Sequence, residues 1–246
     1  MIPKIIHYCW FGGNPLPPLA IKCINSWKKF FPNYEIKEWN ENNFNISIVP
    51  YVEEAYKAKK YAFVSDYARY WILYHEGGLY FDTDVEVIRP MNDIIEKGAF
   101  LGSEYDSLNI GGVSVNPGLG MGAGANLPFY KQVLDHYATV HFIKDDGSLN
   151  LTTIVDYTTM LLEKSGLKHI EDIQKCCNIY IYPKDYFSPL CGKYINFTRN
   201  TRSIHHYMTS WQGKSKAKSY SPRIIIKTLL YKFAIIKERI VIFLYS

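Results

Sequence analysis

Hydrophobic positions along the chain fall into short apolar runs and longer segments with helical spacing. The short runs, typical of buried strands, cover residues 4–10, 34–39, 78–82, 99–105, 112–116 and 178–183. The helical segments cover residues 19–30, 62–75, 127–141 and 152–164. Because strands that alternate with helices of this length form sheets covered by helices, the pattern predicts an α/β fold with a mixed, mainly parallel sheet.

The most informative segment is "HEGGLYFDTDVEVI", residues 75–88, in which an apolar run leads directly into Asp82 and Asp84. Ligands of such sheets bind beyond the carboxyl ends of the strands. Two carboxylates one residue apart can face the same side only if the backbone leaves the strand, since strand neighbours alternate faces. Their oxygens suit Mg²⁺ or Mn²⁺, so the pattern favours a metal or ligand site over a solvated turn.

The helical segment before this strand contains Asp66 and Arg69, which share a face at i, i+3 spacing. An exposed ion pair of this kind contributes little to stability and would be the simpler interpretation. The segment is otherwise crowded with apolar residues and stops at Gly77-Gly78. A charged pair on a helix buried on most sides is more consistent with a polar ligand.

A third candidate lies near residue 205, in "SIHHYMTSW". His205 and His206 alternate faces if this segment is a strand, so at most one of them points into a site. A neutral imidazole complements carboxylates around Mn²⁺. Core or surface histidines remain the alternative for a His-His pair.

Composition indicates a globular enzyme-sized chain of 246 residues, 48% hydrophobic and 16% aromatic, with 21 tyrosines. This tyrosine surplus suits stacking on carbohydrate or nucleotide, but AT-rich coding would also produce it. The five cysteines lack C-x-x-C spacing, so neither a zinc site nor a disulfide framework is indicated. We expect a reduced, cytoplasmic compartment, because "MIPKIIHYCWFGG" also lacks the pattern of a secretory signal.

The net charge of +5 is concentrated after residue 213, where eight Lys or Arg residues stand against Glu238. On a helix, this tail would carry an apolar stripe of Ile225, Leu229, Phe233, Ile236 and Ile240. Charges interrupt the stripe too often for a spanning helix, which needs about 20 mainly apolar residues. We expect a basic amphipathic helix on an anionic membrane surface; packing on the body or in a dimer is the alternative.

Together these segments resemble a known family. "SDYARYWILYHEGGLYFDTDV", residues 65–85, resembles the sugar-nucleotide region of glycosyltransferase family 32, which is named for a D-x-D sugar-binding region. "KIIHYCWFGG", "IYPKDYFSP" and "IHHYMTSW" are similar to flanking blocks of that family, in the same order. The resemblance covers residues 1–212, and "NPGLGMGAGANLPFYKQVL" is its least similar part.

The resemblance implies a single Rossmann-like GT-A domain over residues 1–212, followed by the tail, 213–246. It also implies a nucleotide-sugar donor, Mn²⁺ or Mg²⁺, and retention of anomeric configuration. Clostridial glucosylating toxins share its pattern, which falls here on Ser65, Asp66, Arg69, Tyr80, Asp82 and Asp84.

By this resemblance Asp66 and Arg69 would hold sugar hydroxyls, and Asp82 would bridge ribose, sugar and metal. Asp84 would bind the metal directly, with His205 or His206 completing the site. The remaining implied contacts are a base stacked on Trp10 and a diphosphate beside Trp211.

The expected activity is transfer of a hexose from a nucleotide sugar, with a UDP-sugar favoured over GDP-mannose, to a glycan acceptor. Such chemistry places negative charge on the departing diphosphate and oxocarbenium character on the sugar. Attack on the face of departure and a covalent intermediate both remain open. A lipid-linked capsule or O-antigen precursor at the inner face of the cell membrane would suit the basic tail. No nucleic-acid partner is expected.

Two other classes compete with the transferase interpretation. "FDTDVEV" superficially resembles the motif of haloacid-dehalogenase-type phosphatases, but Glu86 stands where that motif has Thr or Val, and the motif lies far from the N-terminus. A non-catalytic sugar-nucleotide-binding, lectin-like or scaffold protein would predict loss of some acidic or histidine ligands. All of them are present here.

Overall fold

The structure, a computed structural model, describes residues 1–105, 112–191 and 194–208, together with residues 226, 229–231 and 233. Its strands are β1 Ile5–Cys9, β2 Glu35–Trp39, β3 Gly78–Tyr80, β4 Val85–Val87, β5 Phe100–Tyr105, β6 Val113–Ala123, β7 Gln174–Cys176, β8 Ile179–Tyr182, β9 Leu190–Cys191, β10 Tyr194–Ile195 and β11 Ser203–His205. Its helices are α1 Pro18–Phe30, α2 Pro50–Lys57, α3 Tyr61–His75, α4 Asn92–Ile95, α5 Pro128–Tyr137, α6 Ile154–Lys164 and α7 Lys184–Phe187.

Seven strands form one sheet in the order β2-β1-β3-β6-β5-β8-β7. The pairs β1–β2, β1–β3 and β5–β8 are parallel, whereas β6 is antiparallel to both neighbours and β7 is antiparallel to β8. Five of the seven strands therefore run in one direction. The predicted α/β class with a mixed, mainly parallel sheet is confirmed, and it agrees with the GT-A architecture that the resemblance implies.

The sheet is covered by helices on both faces. Along β3, Leu79 belongs to the core cluster that includes α1, whereas Tyr80 belongs to the cluster that includes α2, α3, α5 and α6. This split follows from the alternation of side chains along a strand. Helix α3 is buried over most of its length, as its apolar composition predicted.

The connection between α3 and β3 passes through Gly77 and Gly78, with φ angles of +67° and +106°. A Cβ at Gly78 would lie 2.8 Å from the Ile5 carbonyl oxygen. Only glycine combines this backbone conformation with so close an approach. The predicted helix stop is therefore confirmed, and it directs the chain immediately into the central sheet.

Two predicted boundaries are wrong by several residues. The strand predicted to end at residue 116 continues as β6 to Ala123, past a register shift opposite Leu101 and Gly102. Helix α5 ends at Tyr137 rather than at residue 141. Beyond this end, the Glu54 carboxylate accepts hydrogen bonds from the backbone N–H groups of Phe142 and Ile143, which are therefore not part of the helix.

A small antiparallel sheet of β4 and β11 was not predicted. Its register pairs His205 with Val85 and Ile204 with Glu86. The His206 N–H also donates to the Asp84 carbonyl oxygen at 3.0 Å. This pairing brings the segment around residue 205 against the D-x-D sequence.

Most of the tail predicted at 213–246 lies outside the described residues. Among those described, Tyr231 stacks on Phe197 with ring centroids 4.5 Å apart, and its hydroxyl donates to the Thr198 carbonyl oxygen. The Arg89 guanidinium lies 5.7 Å from the centre of the Tyr231 ring. The tail therefore contacts the body at this point. Within the described part of the chain, no helix combines the length and the apolar character needed to cross a bilayer.

Candidate active site

The D-x-D sequence forms the turn between β3 and β4. Asp82 follows the end of β3 and Asp84 precedes β4, while the Val85 N–H donates to the Asp82 carbonyl oxygen at 3.0 Å. The backbone therefore leaves the strand between the two carboxylates. This departure lets both side chains reach the same site at the carboxyl edge of the sheet.

Asp82, Asp84 and His205 form a cluster in which one ligand atom from each lies within 4.8 Å of the others. Ligands about 2.1 Å from a shared ion lie at most about 4.2 Å apart, so a small movement of these side chains would suffice to bind one. Two carboxylates and an imidazole suit Mn²⁺ or Mg²⁺. The Nδ1 atom of His205 is buried and has no hydrogen-bond partner within the described residues. The donor set therefore fits the divalent metal that the resemblance implies.

Charge within this cluster is strongly coupled. Burial lowers the pKa of His205, but the charge and hydrogen bond of Asp84, 3.1 Å away, outweigh it and raise that pKa to about 9. Burial likewise raises the pKa of Asp84, and His205 outweighs it, so that the carboxyl has a pKa of about 2. Without metal, the two side chains form an ion pair. Metal binding through His205 must therefore release a proton.

Arg69 connects the α3 helix to the D-x-D turn. Its Nη2 atom lies 2.9 Å from Asp66 Oδ1 and 3.2 Å from Asp82 Oδ1, and its Nε donates to the Ser65 carbonyl oxygen. Arg69 and Asp66 are buried, so this pair is not the exposed ion pair considered as the alternative. Burial raises the pKa of Asp66 to about 7, and Arg69 opposes that rise.

Tyr80 and Gly118 hold Asp82 from two other sides. The Tyr80 hydroxyl donates to Asp82 Oδ1 at 3.1 Å, and the Asp82 N–H donates to the Gly118 carbonyl oxygen at 3.2 Å. The Arg69 guanidinium lies 5.0 Å from the centre of the Tyr80 ring. Asp82 is thus fixed between the Arg69–Asp66 pair and the Asp84–His205 pair.

The other predicted residues have varied positions. Trp10 directly follows β1, at the same sheet edge as Asp82, and is partly exposed. Its Nε1 donates to the Asn14 carbonyl oxygen at 2.6 Å. The Ser65 hydroxyl donates to the Tyr61 carbonyl oxygen within α3. Trp211 lies outside the described residues, so its predicted contact with the diphosphate stays a prediction.

His206 does not join the ligand cluster of the described residues. Its Nε2 atom lies 3.0 Å from Glu86 Oε2, which also accepts from Lys22 Nζ at 3.1 Å. The two histidines therefore contact different carboxylates, as their alternation along a strand predicts. Sequence reasoning did not assign Glu86 or Lys22 to this neighbourhood.

A further polar network was missed by sequence reasoning. Glu104 Oε2 accepts hydrogen bonds from Asn116 Nδ2 at 2.9 Å and from the Tyr207 hydroxyl at 2.8 Å. The Tyr207 ring lies 4.2 Å from the His205 ring. Glu104 lies near the carboxyl end of β5, at the same sheet edge as Asp82. This shared edge is the signal by which Glu104 could have been assigned to the site.

Comparisons with known proteins agree with this site. Residues 17–101 match the family model described as a glycosyltransferase sugar-binding region containing a DXD motif. An uncharacterized glycosyltransferase of Acanthamoeba polyphaga mimivirus is 26% identical over 76% of each chain. Inositol phosphoceramide mannosyltransferase 3 of Schizosaccharomyces pombe is 31% identical over 54% of this chain, and a mannosyl phosphorylinositol ceramide synthase of Saccharomyces cerevisiae is 28% identical over 56%.

The matched part of this chain spans only 36% of each of those two yeast proteins. Among solved structures, PaToxG glycosyltransferase superposes with a TM-score of 0.49 and 19% identity, covering 66% of this chain and 69% of that one.

Proposed function

We propose that this chain, a glycosyltransferase with a DXD sugar-binding region, transfers a hexose from a nucleotide sugar to a glycan acceptor, with a divalent metal and with retention of configuration. The observation that carries the proposal is the position of Asp82. Its carboxylate contacts the buried Arg69, which also binds Asp66, and it belongs to the cluster with Asp84 and His205. A sugar clamp and a metal site therefore share one residue.

In the proposed reaction, Asp82, Asp84 and His205 would hold the metal. When bound, the metal supplies positive charge that stabilises the departing diphosphate. Arg69 would donate hydrogen bonds to sugar hydroxyls and Asp66 would accept them, which orients the anomeric carbon toward the acceptor. Arg69 stays charged, because its two carboxylate neighbours outweigh the effect of burial and raise its pKa.

For the donor we favour a UDP-sugar from the family resemblance. The yeast relatives are named as transferring mannose, so a mannose donor belongs in any test as well. Their names also include a ceramide lipid, and this supports a lipid-linked glycan as the acceptor here, of the kind used for capsule or O-antigen. The metal is Mn²⁺ or Mg²⁺.

Thermal stabilisation by nucleotide and metal tests this proposal. We expect UDP or GDP with Mn²⁺ to raise the melting temperature, since a ligand at a hundred times its Kd adds about 2.7 kcal/mol of stability. The metal-dependent shift should grow as the pH rises toward about 9, because metal displaces a proton from His205. Uridine or guanosine with Mn²⁺ is the control. Absence of any shift with both diphosphates would refute the proposal.

The proposal includes contact between the tail and the anionic inner surface of the cell membrane. Its described apolar side chains are strongly exposed: Ile226 56%, Leu229 51%, Leu230 63% and Phe233 63%. We expect the chain to sediment with phosphatidylglycerol vesicles and less with phosphatidylcholine vesicles. Substituting Leu230→Asp and Phe233→Asp together should release it. Equal sedimentation of both proteins would exclude this role of the tail.

A further inference from the structure

We infer that a cavity of about 370 Å³ beside Glu104 binds the acceptor, and that its ligand is a neutral, hydroxyl-rich saccharide. The inference rests on the proposed function and specifies its second substrate. The cavity lies between the carboxyl ends of β5 and β8, helix α7, and the segment 170–173. Its volume is in the range of small-molecule sites.

The location suits a second substrate. Strands β3, β5 and β8 run in the same direction, so the cavity opens at the sheet edge that also holds Asp82. Only β6 separates β3 from β5, which places these strands about 10 Å apart. A saccharide in the cavity would therefore lie at the same edge of the sheet as Asp82, on the other side of β6.

One side chain connects the cavity to the metal cluster. Glu104 lines the cavity, and its Oε2 atom accepts from the Tyr207 hydroxyl, whose ring packs on His205. Asn116 fixes the same carboxylate from the other side and accepts at Oδ1 from the Gly118 N–H at 2.7 Å. Glu104 is thus held rigidly between the cavity and the site of transfer.

The polar lining indicates the class of ligand. The lining contains one ammonium group, that of Lys184, and four carboxylates, those of Glu104, Glu171, Asp172 and Asp185. Lys184 forms an ion pair with Glu171, which leaves an excess of negative charge. Such a lining accepts hydrogen bonds from hydroxyl groups and repels phosphate.

Part of this lining is held in place by its own hydrogen bonds. Asp185 accepts from Thr198 Oγ1 at 2.7 Å and from Asn200 Nδ2 at 3.1 Å. Ile170 and Ile173 add apolar surface at 42% and 38% exposure. Fixed acceptors beside aliphatic surface match the mixed polar and apolar faces of a sugar ring.

The test fills the cavity from its exposed apolar side. The measured quantity is the rate of transfer to pooled methyl hexosides divided by the rate of nucleotide-sugar hydrolysis. We expect Ile170→Trp and Ile173→Trp each to lower this ratio by at least about tenfold, mainly through a higher KM for the acceptor. Ile143→Trp is the matched control, because Ile143 is 40% exposed and is not among the residues that line the cavity. It should leave the ratio unchanged.

Direct binding separates this inference from the proposed function. Saturation-transfer NMR should detect the methyl hexosides on the wild-type chain and on Ile143→Trp, and lose them on Ile170→Trp. Hexoside binding that persists in both cavity variants would overturn the inference, whatever the enzyme does with nucleotides. Tighter binding of hexose 6-phosphates than of the neutral glycosides would overturn the ligand class. Failure to hydrolyse any nucleotide sugar, with hexoside binding intact, would count against the proposed function alone.

Discussion

Asp84→Asn is expected to lower the rate of transfer by at least about a hundredfold, as removal of one electrostatic partner of a developing charge typically does. The Asp84 carboxyl stays ionised, because His205 lowers its pKa to about 2. An amide has no charge to offer a metal ion. The substitution therefore removes the charge of a proposed metal ligand from the cluster with Asp82 and His205.

The same substitution should lower stability while leaving the fold intact, because it removes the charge that pairs with the buried His205. Asp84 Oδ2 accepts from the Met208 N–H at 2.6 Å, and an amide oxygen can keep that bond. We expect the melting temperature without metal to fall, because the buried ion pair with His205 is lost, and stabilisation by Mn²⁺ to disappear. Differential scanning fluorimetry with and without Mn²⁺ measures both quantities.

Glu86→Gln is the matched control. This carboxylate lies two residues further along the chain and is also buried, but it forms ion pairs with His206 and Lys22 and does not belong to the ligand cluster found among the described residues. Stabilisation by Mn²⁺ should persist in Glu86→Gln. If Asp84→Asn keeps its response to Mn²⁺ while Glu86→Gln loses it, the assignment of the metal ligands is wrong.

The part of the site that local pattern determines could be predicted from the sequence. Helix α3, its Gly77-Gly78 stop and the turn at Asp82 and Asp84 follow one another within 24 residues of the chain, 61–84. Each step has a local cause: helical spacing, the positive φ of glycine, and an apolar strand that ends in carboxylates. The ion pair of Asp66 and Arg69 followed from i, i+3 spacing.

The remaining part of the site depends on the pairing of strands that are distant in sequence. Which histidine meets Asp84 is decided by the register of β11 against β4, which pairs His205 with Val85. Residues so far apart in sequence are brought together only by the complete fold. A three-residue strand is also too short for its sequence pattern to be recognised. The network of Glu104, Asn116 and Tyr207 was missed for the same reason.

Strand β6 shows a different limit of prediction from the sequence. Its sequence "VSVNPGLGMGA" contains a proline and three glycines, a composition typical of loops. In the structure it lies between β3 and β5, where burial and close packing outweigh local preference. Gly122, for example, faces Phe100 and Leu79, and a Cβ there would lie 2.5 Å from the Phe100 ring. The glycines serve close approach rather than a turn.

Gly118→Ala is expected to weaken metal and donor binding by at least about tenfold without strain in the backbone. The φ angle of Gly118 lies outside the left-handed region, so alanine can adopt it. Its Cβ, however, would lie 2.1 Å from Asp82 Oδ2 and 3.1 Å from Arg69 Nη1. The Asp82 carboxylate must therefore move away from its position between the Arg69–Asp66 pair and the Asp84–His205 pair.

Isothermal titration with Mn²⁺ and UDP or GDP measures this loss, and Gly124→Ala is the matched control. A Cβ at Gly124 would lie 3.4 Å from the Met1 carbonyl oxygen, an ordinary contact, so that variant should bind as the wild type does. Overpacking at Gly118 should cost about 1–3 kcal/mol of stability, which a parallel unfolding curve measures. Wild-type affinity in Gly118→Ala would mean that Asp82 is not held where both ligands need it, because its displacement would then have no effect on either.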